Sequence, residues 1–165
     1  MLFLIPARAG SKRLPGKNTR LFCGLPLWLW SLATAQRIAG NGDYIRVSTD
    51  DLDILRSGHP HVFVRHTDLC QDRTSSLEVV AAYLECHDVC LLQPTSPTRT
   101  DSLVRKLIAH GGQVRSVTSG KPNGQCYIYR RGQTEWTDIE TEQGHDIDTL
   151  DQFNEAEAIM LGRFQ

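Results

Sequence analysis

The sequence predicts an α/β fold, a three-layer, doubly wound and mostly parallel sheet of Rossmann-like type, and three observations carry that expectation. Leu2 to Ile5 is a continuous apolar run closed by Pro6, as a strand buried on both faces requires. A loop rich in glycine and cations follows, and after it Leu27, Trp30, Leu32, Ala35, Ile38 and Ala39 recur at roughly helical spacing. Short apolar runs then alternate with capped helical segments to the end of the chain, the pattern of βαβ units whose ligands sit at the carboxyl ends of the strands.

Taken in order, Pro26 stands where a helix tolerates proline, and Gly40 and Gly42 stop that helix. Trp28 and Trp30 lie two apart on it and cannot share one core face, so one is expected at a contact or the surface. Tyr44 to Ser48 reads as a second strand, Asp50 to Arg56 as a short helix, and His61 to Arg65 as a third strand. Ser75 and Glu78 form a capping box for a helix running to about Glu85, and Val89 to Leu92 is another apolar run, ended by Pro94. Thr100 or Asp101 can cap a helix to about His110, and Gln113 to Val117 is a further strand. Thr149 and Gln152 make a second capping box ahead of Phe153, Ala156, Ile159 and Met160, an amphipathic last helix. A length of 165 residues suits a single domain over 1–165.

Lys and Arg number 18 against 19 Asp and Glu, so no general basic footprint for nucleic acid exists and any anion site must be local. The five cysteines are odd in number and show no paired CxxC spacing, and the first residues lack the basic segment of a signal peptide. A cytoplasmic protein with reduced thiols is expected. The longest apolar run, Leu25 to Ala35, is interrupted by Pro26, Ser31 and Thr34 and is far short of the roughly 20 residues that span a bilayer, so no membrane role is expected. His59, His61 and His66, and the segment from Cys86 to Cys90, lack paired zinc spacing.

The loop from Ala7 to Arg20 packs five cationic side chains and two glycines directly after the buried first strand. A triphosphate needs backbone N–H donors that can approach closely, which glycine permits, and fixed positive charge, which Arg and Lys supply. A P-loop is excluded by spacing, because five residues separate Gly10 from Gly16 and Asn18 follows Lys17. No G-x-G-x-x-G occurs. The expectation is a nucleoside triphosphate site of another kind.

The segment Ile5-Pro-Ala-Arg-Ala-Gly-Ser-Lys-Arg-Leu-Pro-Gly-Lys-Asn18 resembles the signature of the CMP-sialic acid synthetases, the acylneuraminate cytidylyltransferases. Further segments agree in order: Val47-Ser-Thr-Asp50, Arg65 with Leu69 to Ser76, Leu91-Leu-Gln-Pro-Thr-Ser-Pro-Thr-Arg99, Asn123-Gly124 with Tyr127-Ile128, and Asp146-Ile-Asp148 before a helix. The resemblance implies a nucleotide-diphospho-sugar transferase-like fold. It implies transfer of CMP from CTP to the anomeric hydroxyl of a 2-keto sugar acid, releasing pyrophosphate.

By the same resemblance Arg8 and Lys17 hold the triphosphate, with Ala9, Gly10, Ser11 and Asn18 completing the cradle, and Arg8, Lys17 and Asp148 act in catalysis. Arg65, with Ser75 or Ser76, matches a region near base and sugar, although Ser75 already has a capping role. Asn123 is assigned to the nucleotide, although Asn-Gly is also an ordinary turn. Gln93, Thr95 and Ser96 face the acceptor. Asp146 and Asp148 form the metal motif for Mg²⁺; two-residue spacing on an extended segment points both carboxylates one way, while acid placement at a helix N-terminus would also account for them. Family members carry a long excursion that reaches a second subunit; here only the five residues Thr118 to Pro122 separate Val117 from Asn123. The chain therefore resembles a shortened form without the dimerisation arm. A homodimer is possible only by another surface, and the alternative is a reduced nucleotide-binding module, inactive alone or completed by a partner.

Overall fold

The computed structural model describes residues 1–71, 73–142 and 144–164. The chain runs β1 (Leu2–Pro6), a small hairpin of β2 (Leu21–Phe22) and β3 (Leu25–Pro26), α1 (Leu27–Ile38), β4 (Tyr44–Thr49), α2 (Leu52–Arg56) and β5 (Val62–Val64). It continues through α3 (Ser76–Leu84), β6 (Val89–Leu91), α4 (Asp101–Ala109), β7 (Val114–Thr118), β8 (Lys121–Tyr129), β9 (Thr137–Glu140) and α5 (Leu150–Gly162). Seven strands make one sheet in the order β5-β4-β1-β6-β8-β7-β9. β5, β4, β1 and β6 are mutually parallel, and β9 runs parallel to β7. β8 runs antiparallel to both of its neighbours, β6 and β7. The sheet is thus mostly parallel with one reversed strand.

β1 sits at the centre because its side chains are apolar on both faces. Phe3 and Ile5 join Trp28, Leu32 and Ala35 of α1, Ile54 of α2 and Val104 and Leu107 of α4. Leu2 and Leu4 point the other way, to Val79 and Val80 of α3. Each such buried aliphatic contributes about 1.5–3 kcal/mol. A third cluster forms at the rim, where Phe153, Ala156 and Met160 of α5 close over Leu14, Phe22, Leu27 and Ile147. Trp28 lies in the main core, whereas Trp30 packs against this third cluster and donates its indole N–H to the Phe22 carbonyl at 2.9 Å. The conflict between two tryptophans on one helix is resolved by a second packing surface.

Both capping boxes form as expected, at Ser75 with Glu78 and at Thr149 with Gln152. Thr100 caps α4, and Asp51 rather than Asp50 caps α2. The strand expected over His61 to Arg65 is confined to Val62–Val64. β7 and β8 join through a tight turn in which Ser119 (φ 51°) and Gly120 (φ 71°) are both left-handed, the geometry that matches strand twist. The Glu140 carboxylate accepts from the Ser119 N–H at 2.5 Å and holds that turn. Among the described residues no helix is long and apolar enough to cross a membrane.

Candidate nucleotide and acceptor cleft

A cleft of about 330 Å³ opens at the carboxyl ends of β1 and β6. One wall is the loop after β1, which contributes Arg8, Ala9, Ser11, Lys12, Arg13, Lys17 and Asn18; Pro6, Ser76, Gln93, Pro94, Thr95 and Asp148 form the rest. Four cations against one carboxylate make it a place for a polyanion.

The loop is held by bonds that fix its backbone. The Ala7 N–H donates to the Ser48 carbonyl at 3.0 Å, and the Thr49 hydroxyl donates to the Ala7 carbonyl at 2.5 Å. The Ala9 N–H donates to Asp50 Oδ1 at 2.8 Å. Asn18 Nδ2 donates to the Arg8 carbonyl at 2.8 Å, so the asparagine shapes the turn that presents Arg8. Gly10 (φ 72°) and Gly16 (φ 66°) supply the left-handed corners, and buried Leu14 pins the loop to the third core cluster. Lys17 is buried; its ammonium donates to the Ile147 carbonyl at 2.7 Å and to Asp148 Oδ1 at 3.0 Å. Arg13 Nη2 lies 2.8 Å from Asp148 Oδ2.

On the opposite wall Gln93 Nε2 donates to the Ser76 hydroxyl at 3.0 Å. The Gln93 backbone carbonyl is fixed from below by Arg99 Nη2 and by the Ser31 hydroxyl at 3.2 Å. Arg99 is fully buried, and its other donors reach the Ser31 hydroxyl and the Gln125 carbonyl, both at 2.7 Å. Burial pulls this guanidinium down to about 10. Gly124, at φ 76°, leaves open a spot where a Cβ would lie 3.1 Å from Ser96 Oγ, 3.2 Å from Gln93 Oε1 and 3.6 Å from the Asp146 carboxyl carbon. Ser96 Oγ is buried there without a hydrogen-bond partner. Tyr127 stands nearby, its phenol pushed up by burial and partly offset by the Gly124 backbone.

Of the residues singled out by sequence, the cleft gathers Arg8, Ala9, Ser11, Lys17, Asn18, Gln93, Thr95 and Asp148. Gly10 shapes the loop from outside the lining. Ser76, not Ser75, reaches the cleft, because the Ser75 hydroxyl is engaged with Glu78 at the head of α3. Arg65 is buried beneath the lining and donates to the Ser48 carbonyl at 2.7 Å and hydroxyl at 3.2 Å. Asn123 is turned into the β7–β8 hairpin: its oxygen accepts from the Ser116 hydroxyl and the Gln125 N–H, and its amide donates to Thr118 and Thr141. Ser96 and Asp146 sit beside Gly124, just behind the lining.

A divalent cation fits the donor set. Asp146 and Asp148 flank buried Ile147, and carboxylate oxygens are the ligands a hard cation takes. Among the described residues no group of three or more His, Cys, Asp and Glu comes together, so the rest of a coordination shell would have to be phosphate and water. Sequence alone assigns no individual role to Arg13, Arg99 or Gly124. Arg13 was visible as one charge among five, but nothing local pairs it with an aspartate far along the chain.

The chain is 37% identical over 135 residues to the CMP-N,N'-diacetyllegionaminic acid synthase of Legionella pneumophila, covering 74% of this chain and 58% of that protein. It is 35% identical over 117 residues to a pseudaminic acid cytidylyltransferase of Campylobacter jejuni, covering 64% of this chain and 50% of that one. The chain thus spans about half the length of the curated relatives it matches. A CMP:2-keto-3-deoxy-manno-octonic acid synthetase, solved with CTP, superposes with a TM-score of 0.74 at 16% identity over 98% of both chains, a likeness of fold. A Mycobacterium tuberculosis protein solved with manganese superposes with a TM-score of 0.66 at 13% identity, covering 95% of this chain and 98% of that one. The family model described as cytidylyltransferase matches residues 2–126, and this chain belongs to the cytidylyltransferase family.

Proposed function

We propose that this protein transfers CMP from CTP to the anomeric hydroxyl of a 2-keto sugar acid of the sialic, legionaminic or pseudaminic type, releasing pyrophosphate with Mg²⁺ present. The observation that carries this is the cleft itself: four loop cations line, with Gln93 and Asp148, a space at the carboxyl ends of the central strands. Arg8 and Lys17 hold the triphosphate. Their charge stabilises the α-phosphoryl group as the acceptor hydroxyl attacks it and pyrophosphate leaves. Ser11, Asn18 and the backbone of Ala9 and Gly10 shape the cradle. Gln93, with Thr95, orients the sugar acid, its side chain steadied by Ser76 and its backbone by Arg99. Asp146 and Asp148 would hold Mg²⁺, and the chemistry it would supply there is neutralisation of phosphate charge.

The test is pyrophosphate release from the purified protein, with each of four nucleoside triphosphates and Mg²⁺, against sialic, legionaminic, pseudaminic and Kdo-type acids. Release with CTP and one acid is expected, and Arg8→Ala should lower kcat/KM by about a hundred-fold. Silence in every combination, with no binding of CTP, removes the proposal.

One observation favours a second reading. Thr118 to Pro122 close as a tight hairpin turn, so this segment extends nothing over the acceptor side of the cleft. A protein that binds CTP calorimetrically yet turns over no acid would be a reduced nucleotide-binding module, its acceptor site completed by a partner chain.

A further inference from the structure

Arg13 carries no role above, yet it holds a decisive carboxylate. Asp148 is divided between two cations, Oδ1 with Lys17 at 3.0 Å and Oδ2 with Arg13 at 2.8 Å. The two are unequally anchored. Lys17 has only 10% of its side chain exposed and a second tie to the Ile147 carbonyl at 2.7 Å, so it stays in place. Arg13 is 69% exposed and approaches from the solvent side of the loop. An ion pair that open is weakly held, whereas a guanidinium fork matches phosphate oxygens bidentately. The same side chain lines the cleft beside Arg8, Lys12 and Lys17, within the field that favours a polyanion.

We infer that Arg13 is an exchangeable clamp: in the ligand-free protein it covers Asp148, and when a nucleoside triphosphate enters, its guanidinium passes to the phosphate oxygens and uncovers that carboxylate for a divalent cation. The inference rests on the cleft being a triphosphate site. Nucleotide and cation are then coupled through one arginine, and by linkage each favours the other. The clamp also keeps a cation from settling on Asp148 before a nucleotide is present.

The test uses calorimetric binding of CTP in the presence of chelator, for wild type, Asp148→Asn, Arg13→Ala and the double variant, with Mn²⁺ binding to the nucleotide-free proteins followed by electron paramagnetic resonance. Asp148→Asn should bind CTP several-fold more tightly than wild type, because it releases the cations that the carboxylate holds. Arg13→Ala should bind CTP about ten-fold more weakly, the loss of one charge-assisted contact. The double variant should lack Arg13's share of the gain. Mn²⁺ should bind Arg13→Ala more tightly than wild type, with Arg13→Lys in between. Unchanged CTP affinity in Arg13→Ala, weaker CTP binding in Asp148→Asn, or Mn²⁺ affinity indifferent to Arg13 each overturns the clamp while leaving the cleft assignment standing. A wild-type protein that binds no nucleotide overturns both, a distinct result.

Discussion

Arg99 is a cation placed where water does not reach. Its guanidinium donates to three neutral acceptors, the carbonyls of Gln93 and Gln125 and the Ser31 hydroxyl, and so ties β6, β8 and α1 together beneath the cleft. Its folded-state value of about 10 lies below the ordinary 12.5, so the unfolded chain holds this proton more tightly. Burying the charge therefore costs stability at neutral pH, and the cost fades only as pH rises between those values. Removing the side chain is worse, because the Gln125 carbonyl and the Ser31 hydroxyl lose this donor, while the Gln93 carbonyl keeps that of Ser31. Arg99→Ala should lower unfolding stability by about 3 kcal/mol in urea titrations. Ser96 should behave in the opposite way. Its buried hydroxyl has no partner, so Ser96→Ala should leave stability unchanged or raise it by about 1 kcal/mol. A clear loss in that variant would mean the hydroxyl is bonded in the native fold.

At the scale of elements, α5 links stability to the site. The Thr149 hydroxyl accepts from the Gln152 N–H at 3.3 Å, while Gln152 Oε1 accepts from the backbone N–H groups of Thr149 at 3.0 Å and Asp148 at 2.8 Å. The cap of this helix is thus also the mount of Asp148. Thr149→Ala should cost about 1 kcal/mol, read as a lower urea midpoint, and weaken Mn²⁺ binding at the same time. Both capping boxes were legible in the sequence because a cap is local chemistry, complete within four residues. β1, α1 and β6 were legible from their apolar runs. β9 was not: Thr137, Asp138 and Glu140 are exposed and alternate with nothing, and the strand exists because β7 offers an edge to pair with. The β2–β3 hairpin is too short for any periodicity, and only Cys23 and Gly24, both at positive φ, mark it. The reversal of β8 was equally hidden, since an apolar pattern reads the same in either direction. For the site, the cations, Asp148 and the capping role of Ser75 were legible as chemistry, but the sequence could not say that Asn123 would be satisfied within its own hairpin.

For the whole molecule, acid should loosen the fold in a predictable sense. The Arg37 guanidinium bonded to Asp101 joins α1 to α4 at 2.7 and 2.9 Å and holds that carboxyl below its ordinary 3.8. A carboxyl lowered on folding adds stability that is present above the unfolded value and is lost as pH falls through the folded one. The urea midpoint should therefore drop below about pH 4, and Arg37→Ala should flatten that drop. If the two proteins share one acid profile, the pair contributes nothing to it. One long-range contact of the site has a different outcome. Lys17 meets Ile147 and Asp148 across 130 and 131 positions of chain. A ribosome releases the cation-rich loop well before its carboxylate counterpart, so for that interval the loop lacks Asp148 while it sits beside a polyanionic machine. The coupling of a bound nucleotide to a divalent cation would thus be gained in one step, when Asp148 arrives.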